Sequence, residues 1–112
     1  MFHLNYCEFN RTNYDCDRIY RPGGSGDYLF LLLKTPMKIY LKDQLIISRE
    51  NACMLYTPGF CQHYQAVRKF RNSYMHFSTD LFFENRYHIP ANQLLYPDNF
   101  QKLDSLMQEI QQ

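Results

Sequence analysis

Between Asp27 and Ser78 the chain alternates short apolar or alternating runs with turn residues, and this rhythm restricts the fold more than any other feature. The runs are DYLFLLL (27–33), KIYLKDQLIIS (38–48), NACMLYTPGFCQHYQAV (51–67) and FRNSYMHFS (70–78). Strands recurring about every ten residues predict a sandwich or barrel of antiparallel strands. Tyr28–Leu33 is apolar on both faces, so it is expected at the centre of a sheet with cover on both sides. Met37, Ile39 and Leu41 alternate with Lys38, Tyr40 and Lys42, as a half-buried strand requires, and Lys42-Asp43 suits a hairpin tip leading to Leu45–Ser48. Ala52–Tyr56 is the next strand, and Thr57-Pro58-Gly59 the next turn.

Two further strands carry mixed faces. Phe60, Gln62, Tyr64 and Ala66 share one side of Phe60–Val67, and Phe70, Asn72, Tyr74, His76 and Ser78 share one side of Phe70–Ser78. A purely apolar core has no use for Gln62, Asn72 and His76 on an inward face, whereas a solvated polar cavity has. The 112 residues allow one domain with a modest core, and ten tyrosines and nine phenylalanines with no tryptophan make that interior aromatic.

The flanks read differently. Residues 1–20 mix aromatic and polar side chains and are expected as an N-terminal arm of one or two irregular strands; Arg21-Pro22-Gly23-Gly24-Ser25-Gly26 is a flexible turn. No Lys-Ser or Lys-Thr follows these glycines, so they are not a phosphate cradle. After Ser78 a helical turn is expected around Asp80–Phe83, Pro90 interrupts, and a helix begins near Asp98 as N-cap with Gln101 three residues on. Phe100, Leu103, Met107 and Ile110 fall at a/d spacing with Leu106 alongside, leaving Gln101, Lys102, Asp104, Gln108 and Glu109 outside. The stripe either packs on the barrel or meets a second copy, and the reading adopted is a homodimer interface formed by Phe100, Leu103, Leu106, Met107 and Ile110.

Charge and cysteine usage narrow the function classes. A net charge of +1 with no basic run longer than Arg68-Lys69 gives no field that would hold a nucleic-acid backbone. The opening MFHLNYCEFN has no signal-peptide pattern, and no window approaches the ~20 apolar residues of a membrane helix, so a cytoplasmic protein with no membrane partner is expected. Cys7, Cys16, Cys53 and Cys61 form no C-x-x-C and are expected as free thiols. His63 and His76 lack the H-x-H spacing and strand carboxylate of a metal-binding barrel, so no metal ligand, cofactor or catalytic residue is assigned.

The run RPGGSGDYLFLLL (21–33), then YTPGFCQHY (56–64), NSYMHFS (72–78), a Pro-interrupted segment and an amphipathic helix together resemble the amino-terminal sensor domain of AraC-type transcription regulators. The resemblance implies a mainly all-β fold, a cupin-like double-stranded β-helix or jelly-roll barrel with a C-terminal α-helix. It divides the chain into the arm (1–20), the barrel core (21–79) and a linker segment with a dimerisation helix (80–112). It also implies a small polar effector, carbohydrate among the candidates, bound inside the barrel, with DNA contacted only through a C-terminal domain beyond these residues. The positions matching the family's effector contacts are Arg21, Tyr64, Asn72 and Tyr74. A frequent tryptophan of the family is Tyr74 here, and a sugar-binding histidine is Asn72. The alternatives are a small metal-dependent cupin enzyme and a stand-alone sugar-binding jelly roll.

Overall fold

A computed structural model describes residues 1–111. Eight strands form two antiparallel four-stranded sheets: β1 (His3–Asn13), β2 (Arg18–Arg21), β3 (Tyr28–Leu33), β4 (Met37–Leu41), β5 (Gln44–Ile47), β6 (Ala52–Tyr56), β7 (Gln62–Ala66) and β8 (Phe70–Ser78). The first sheet runs β1-β8-β3-β6 and the second β2-β7-β4-β5, so consecutive strands repeatedly cross from one sheet to the other. Two helices follow, α1 (Phe83–Arg86) and α2 (Phe100–Gln111).

The period-two pattern sets what each strand buries. Leu29, Leu31 and Leu33 of β3 face Met37 and Ile39 of β4, with Ala52, Met54 and Tyr56 of β6 and Tyr64 and Ala66 of β7 completing the layer between the sheets. The opposite face of the first sheet is also covered. Leu32 and Cys53 meet Phe100 and Met107 of α2, while Tyr28, Leu55 and Phe77 pack against Phe83, Ile89 and Ala91. The two apolar faces of β3 therefore each have a partner.

Residues 1–20, expected as an arm, form the edge strand of each sheet: β1 pairs with β8, and β2 pairs with β7. The pairing of β1 shifts register between Leu4 and Tyr6 and again between Glu8 and Arg11, where Asn10 adopts a left-handed φ of 54°. Bulges of this kind add a residue and turn the following side chains over. Gly24 holds the 21–26 turn against the second half of the chain. Its φ is 66°, and a Cβ there would lie 2.3 Å from the carbonyl oxygen of Phe60, so only glycine fits.

The C-terminal helix corrects two expectations. It starts at Phe100, and Leu103 N–H donates to the Asn99 carbonyl, so Asn99 rather than Asp98 stands at its entrance. Asp104, expected outside, is only 8% exposed; it accepts a hydrogen bond from Ser73 Oγ (2.7 Å) and lies 2.7 Å from Lys34 Nζ. Lys34 also donates to Asn10 Oδ1 at 3.1 Å and sits over the Phe9 ring. A buried carboxylate needs this density of partners to offset its lost hydration.

Candidate functional site

A cavity of about 320 Å³ opens between the sheets where β1 and β2 form their edges. Its lining comes from five strands: Tyr6, Arg11 and Asn13 of β1, Ile19 and Arg21 of β2, Leu29 of β3, Tyr64 of β7, and Phe70, Asn72, Tyr74 and His76 of β8. All four residues expected to contact a ligand, Arg21, Tyr64, Asn72 and Tyr74, stand on this one wall set. Alternation explains the gathering. Asn72 and Tyr74 are two apart on β8, Ile19 and Arg21 two apart on β2, and Ile19 is paired with Tyr64.

The polar groups differ in how far they are satisfied. Arg21 Nη1 donates to Gln62 Oε1 at 3.2 Å; the Gln62 amide, completely buried, donates in turn to Ser25 Oγ at 3.0 Å. The 21–26 turn thus sets the guanidinium through Gln62. Asn72 is 3% exposed, and its Oδ1 has no hydrogen-bond partner among the described residues. A buried acceptor without a donor is costly by about 1–3 kcal/mol, and a hydroxyl or amine entering the cavity would remove that cost.

His76 is held from behind. Its Nδ1 lies 2.9 Å from Asp27 Oδ1, and an ionised carboxylate can only accept, so the imidazole N–H donates. Burial acts to raise the Asp27 carboxyl, but hydrogen bonds from His76, Asn5 and Ser25 and the charge of His76 outweigh it and hold the carboxyl below its ordinary range. Asn5 Nδ2 donates to Asp27 Oδ2 at 2.9 Å.

Tyr64 and Tyr74 supply rings and hydroxyls. Burial pushes the Tyr64 phenol far above its ordinary range against the pull of Arg21, and burial also raises Tyr74 against the pull of Arg11. Both therefore stay neutral donors at physiological pH. Tyr74 packs at a tilt against Tyr6 with ring centroids 6.0 Å apart and meets His76 edge-on at 5.9 Å, which fixes one side of the cavity.

Tyr6, Arg11, Asn13 and Ile19 were not singled out from the sequence. Arg11 stands directly across from Asn72 in the β1–β8 pairing, yet the bulge at Asn10 breaks the alternation that would have shown it. His76 was placed on the inward face by its spacing, and it lines the cavity.

The remaining reactive side chains stand apart from this cavity. His63 is stacked on Tyr40 (centroids 4.1 Å) and against Tyr20 on the outer face of the second sheet, and burial together with Arg18 lowers its pKa. No group of three or more His, Cys, Asp or Glu side chains able to hold a metal ion occurs among the described residues. All four cysteines are free; burial pushes the Cys53 thiol up to about 11 and, with Glu8, raises Cys7.

The stripe expected to form a dimer interface is divided by the fold. Phe100, Leu103 and Met107 lie against the chain's own first sheet, whereas Leu106 and Ile110 are each 45% exposed. No helix among the described residues is long and apolar enough to cross a membrane. No protein-family model matches the chain, and a search of curated proteins finds no match of significance.

Proposed function

We propose that the chain is the effector-sensing and dimerising domain of an AraC-type transcription regulator, and that it binds a small polar ligand in the cavity between its sheets. One observation carries the reading: Arg21, Tyr64, Asn72 and Tyr74, nominated by resemblance, line a single cavity whose best buried amide oxygen has no partner. In this reading the eight strands form a cupin-like jelly roll. The two four-stranded sheets and the interleaved strand order 1-8-3-6 and 2-7-4-5 support it.

The chemistry offered is that of binding. Arg21 donates a planar fork, Asn72 both donates and accepts, and the Tyr64 and Tyr74 rings can cover the C–H face of a carbohydrate-sized molecule. The signal would leave through β8 and β1. Ser73, between Asn72 and Tyr74, holds Asp104 of α2, and Phe9 N–H on β1 donates to Gln111 Oε1 at 2.7 Å. A ligand that prefers one arrangement of these strands shifts the helix by its difference in affinity for the two arrangements. The partner copy is met by the exposed side of α2 at Leu106 and Ile110, and DNA is reached through a further domain in a cytoplasmic regulator.

Thermal unfolding against a panel of sugars, sugar acids and polyols tests the reading. A compound that binds only the folded state stabilises it by ~2.7 kcal/mol at a hundredfold excess over its dissociation constant. The expected result is a raised midpoint for the wild type that is lost in Asn72→Ala and Tyr74→Ala. A shift that survives both substitutions contradicts binding in this cavity.

A further inference from the structure

We infer that the ligand of this cavity is an anion, a monosaccharide-sized hydroxy acid or sugar acid whose carboxylate is held between Arg11 and Arg21. The inference rests on the sensor reading of the cavity and adds the charge of its ligand. Two guanidinium groups line the space, one from β1 and one from β2, and none of the lining side chains is Asp or Glu.

The two arginines differ in how far they are already paired. Arg21 bonds a neutral partner, Gln62 Oε1, and has no carboxylate within ion-pair distance among the described residues. Arg11 Nη1 is 3.6 Å from Glu8 Oε1 with its side chain about half exposed, a loose pair of the kind that contributes little and exchanges readily. A carboxylate accepts two parallel hydrogen bonds from a guanidinium fork, and a neutral hydroxyl cannot match that geometry or charge. Glu8, paired with Tyr74 across β1–β8, sets one carboxylate against these two arginines, and the remaining positive charge favours an anion in encounter and in residence.

The interior asks for something else. Asn72 Oδ1, 97% buried by residue, needs a donor, and Arg11 stands opposite Asn72 across the β1–β8 pairing. A hydroxyl a few bonds from the carboxylate would satisfy Asn72 while the carboxylate remains between the arginines. The volume of 320 Å³ equals about ten waters at ~30 Å³ each, which admits a monosaccharide-sized acid.

Isothermal titration of the whole chain with matched pairs tests this: glucose with gluconate and glucuronate, galactose with galacturonate, arabinose with arabinonate. At least one acid is expected to bind ten times or more tighter than its neutral counterpart at low salt, and the advantage should shrink as salt is raised. Arg21→Gln and Arg11→Gln should each weaken the acid. Arg11→Gln should leave the melting midpoint near that of wild type, whereas Arg21→Gln also takes the donor from buried Gln62 Oε1 and should lower it. Arg21→Lys, which keeps charge and loses the fork, should bind the acid with intermediate strength. A neutral sugar that binds as well as or better than its acid overturns the anion assignment and leaves the cavity reading standing. An acid whose binding ignores both arginine substitutions overturns the placement of its carboxylate. Silence from every compound of both classes overturns the sensor reading with it.

Discussion

Asn72 and Ser73 are neighbours on β8 and serve opposite faces of one sheet: Asn72 looks into the cavity with an unpartnered Oδ1, and the Ser73 hydroxyl donates to Asp104 of α2 at 2.7 Å. One peptide unit thus separates the candidate ligand site from the helix. In the proposed sensor, a ligand that moves β8 inside the sandwich would act on α2 through this contact.

The Asp104 cluster should dominate the attachment of α2. Asp104→Ala leaves Lys34 and Ser73 facing a mostly apolar contact and should cost on the order of 3 kcal/mol. Ser73→Ala removes two hydrogen bonds, the one given to Asp104 and the one accepted from the Asn10 N–H, and should cost about 2 kcal/mol. Urea unfolding gives both values, and amide exchange in α2 should quicken selectively in Asp104→Ala. An Asp104→Ala protein as stable as wild type contradicts this account of the helix.

Tyr56 makes the opposite prediction. Its ring is fully buried between the sheets, its hydroxyl has no partner among the described residues, and burial, with Tyr64 and Cys61 nearby, drives its pKa far above the ordinary phenol range. Tyr56→Phe removes an unsatisfied polar group and keeps the ring, so the urea midpoint should rise by an amount equivalent to about 1 kcal/mol. A loss of stability instead reveals a partner for the hydroxyl.

Asp27 sets an acid limit. Its carboxyl lies below the ordinary range in the folded chain, so its contribution is complete above the unfolded value of ~3.9 and disappears as pH falls through the lower folded value. Wild type should lose stability more steeply than Asp27→Asn between about pH 4 and the onset of acid unfolding. Parallel curves for the two proteins would rule out this coupling.

The proposed homodimer has a narrow contact left to it. Leu106→Asp with Ile110→Asp places charges on the exposed side of α2 without touching Phe100 or Met107. Sedimentation should show a concentration-dependent dimer in wild type, weakened about tenfold or more in the double variant, with an unchanged urea midpoint. A wild type that stays monomeric at high concentration removes the dimer from the account.

The strands from Tyr28 to Ser78 were legible because alternation survives there: each inward residue follows the last by two, and turn residues mark each reversal. Tyr64, Asn72 and Tyr74 could be placed on like faces for the same reason. Arg11 could not, since the bulge at Asn10 inverts the pattern within a strand that already mixes aromatic and polar residues. Asp104 was misplaced because a carboxylate on a helix is ordinarily solvated, and the lysine that buries it lies on the far side of the sequence, just after β3. The a/d stripe of α2 marked an apolar face but carried no information on which surface would cover it, and the fold gives most of it to the chain's own sheet.

The most direct test of the central claim is a map of backbone amide shifts on adding a binding sugar or sugar acid to the isotope-labelled chain. The account predicts that the largest changes fall on Arg11, Arg21, Tyr64 and the Asn72–His76 stretch of β8, with a smaller group around Asp104 where Ser73 passes the change to α2. Changes centred instead on the open groove beside Leu41, Phe60 and Leu94 would contradict it, and would move the ligand to the other end of the sandwich.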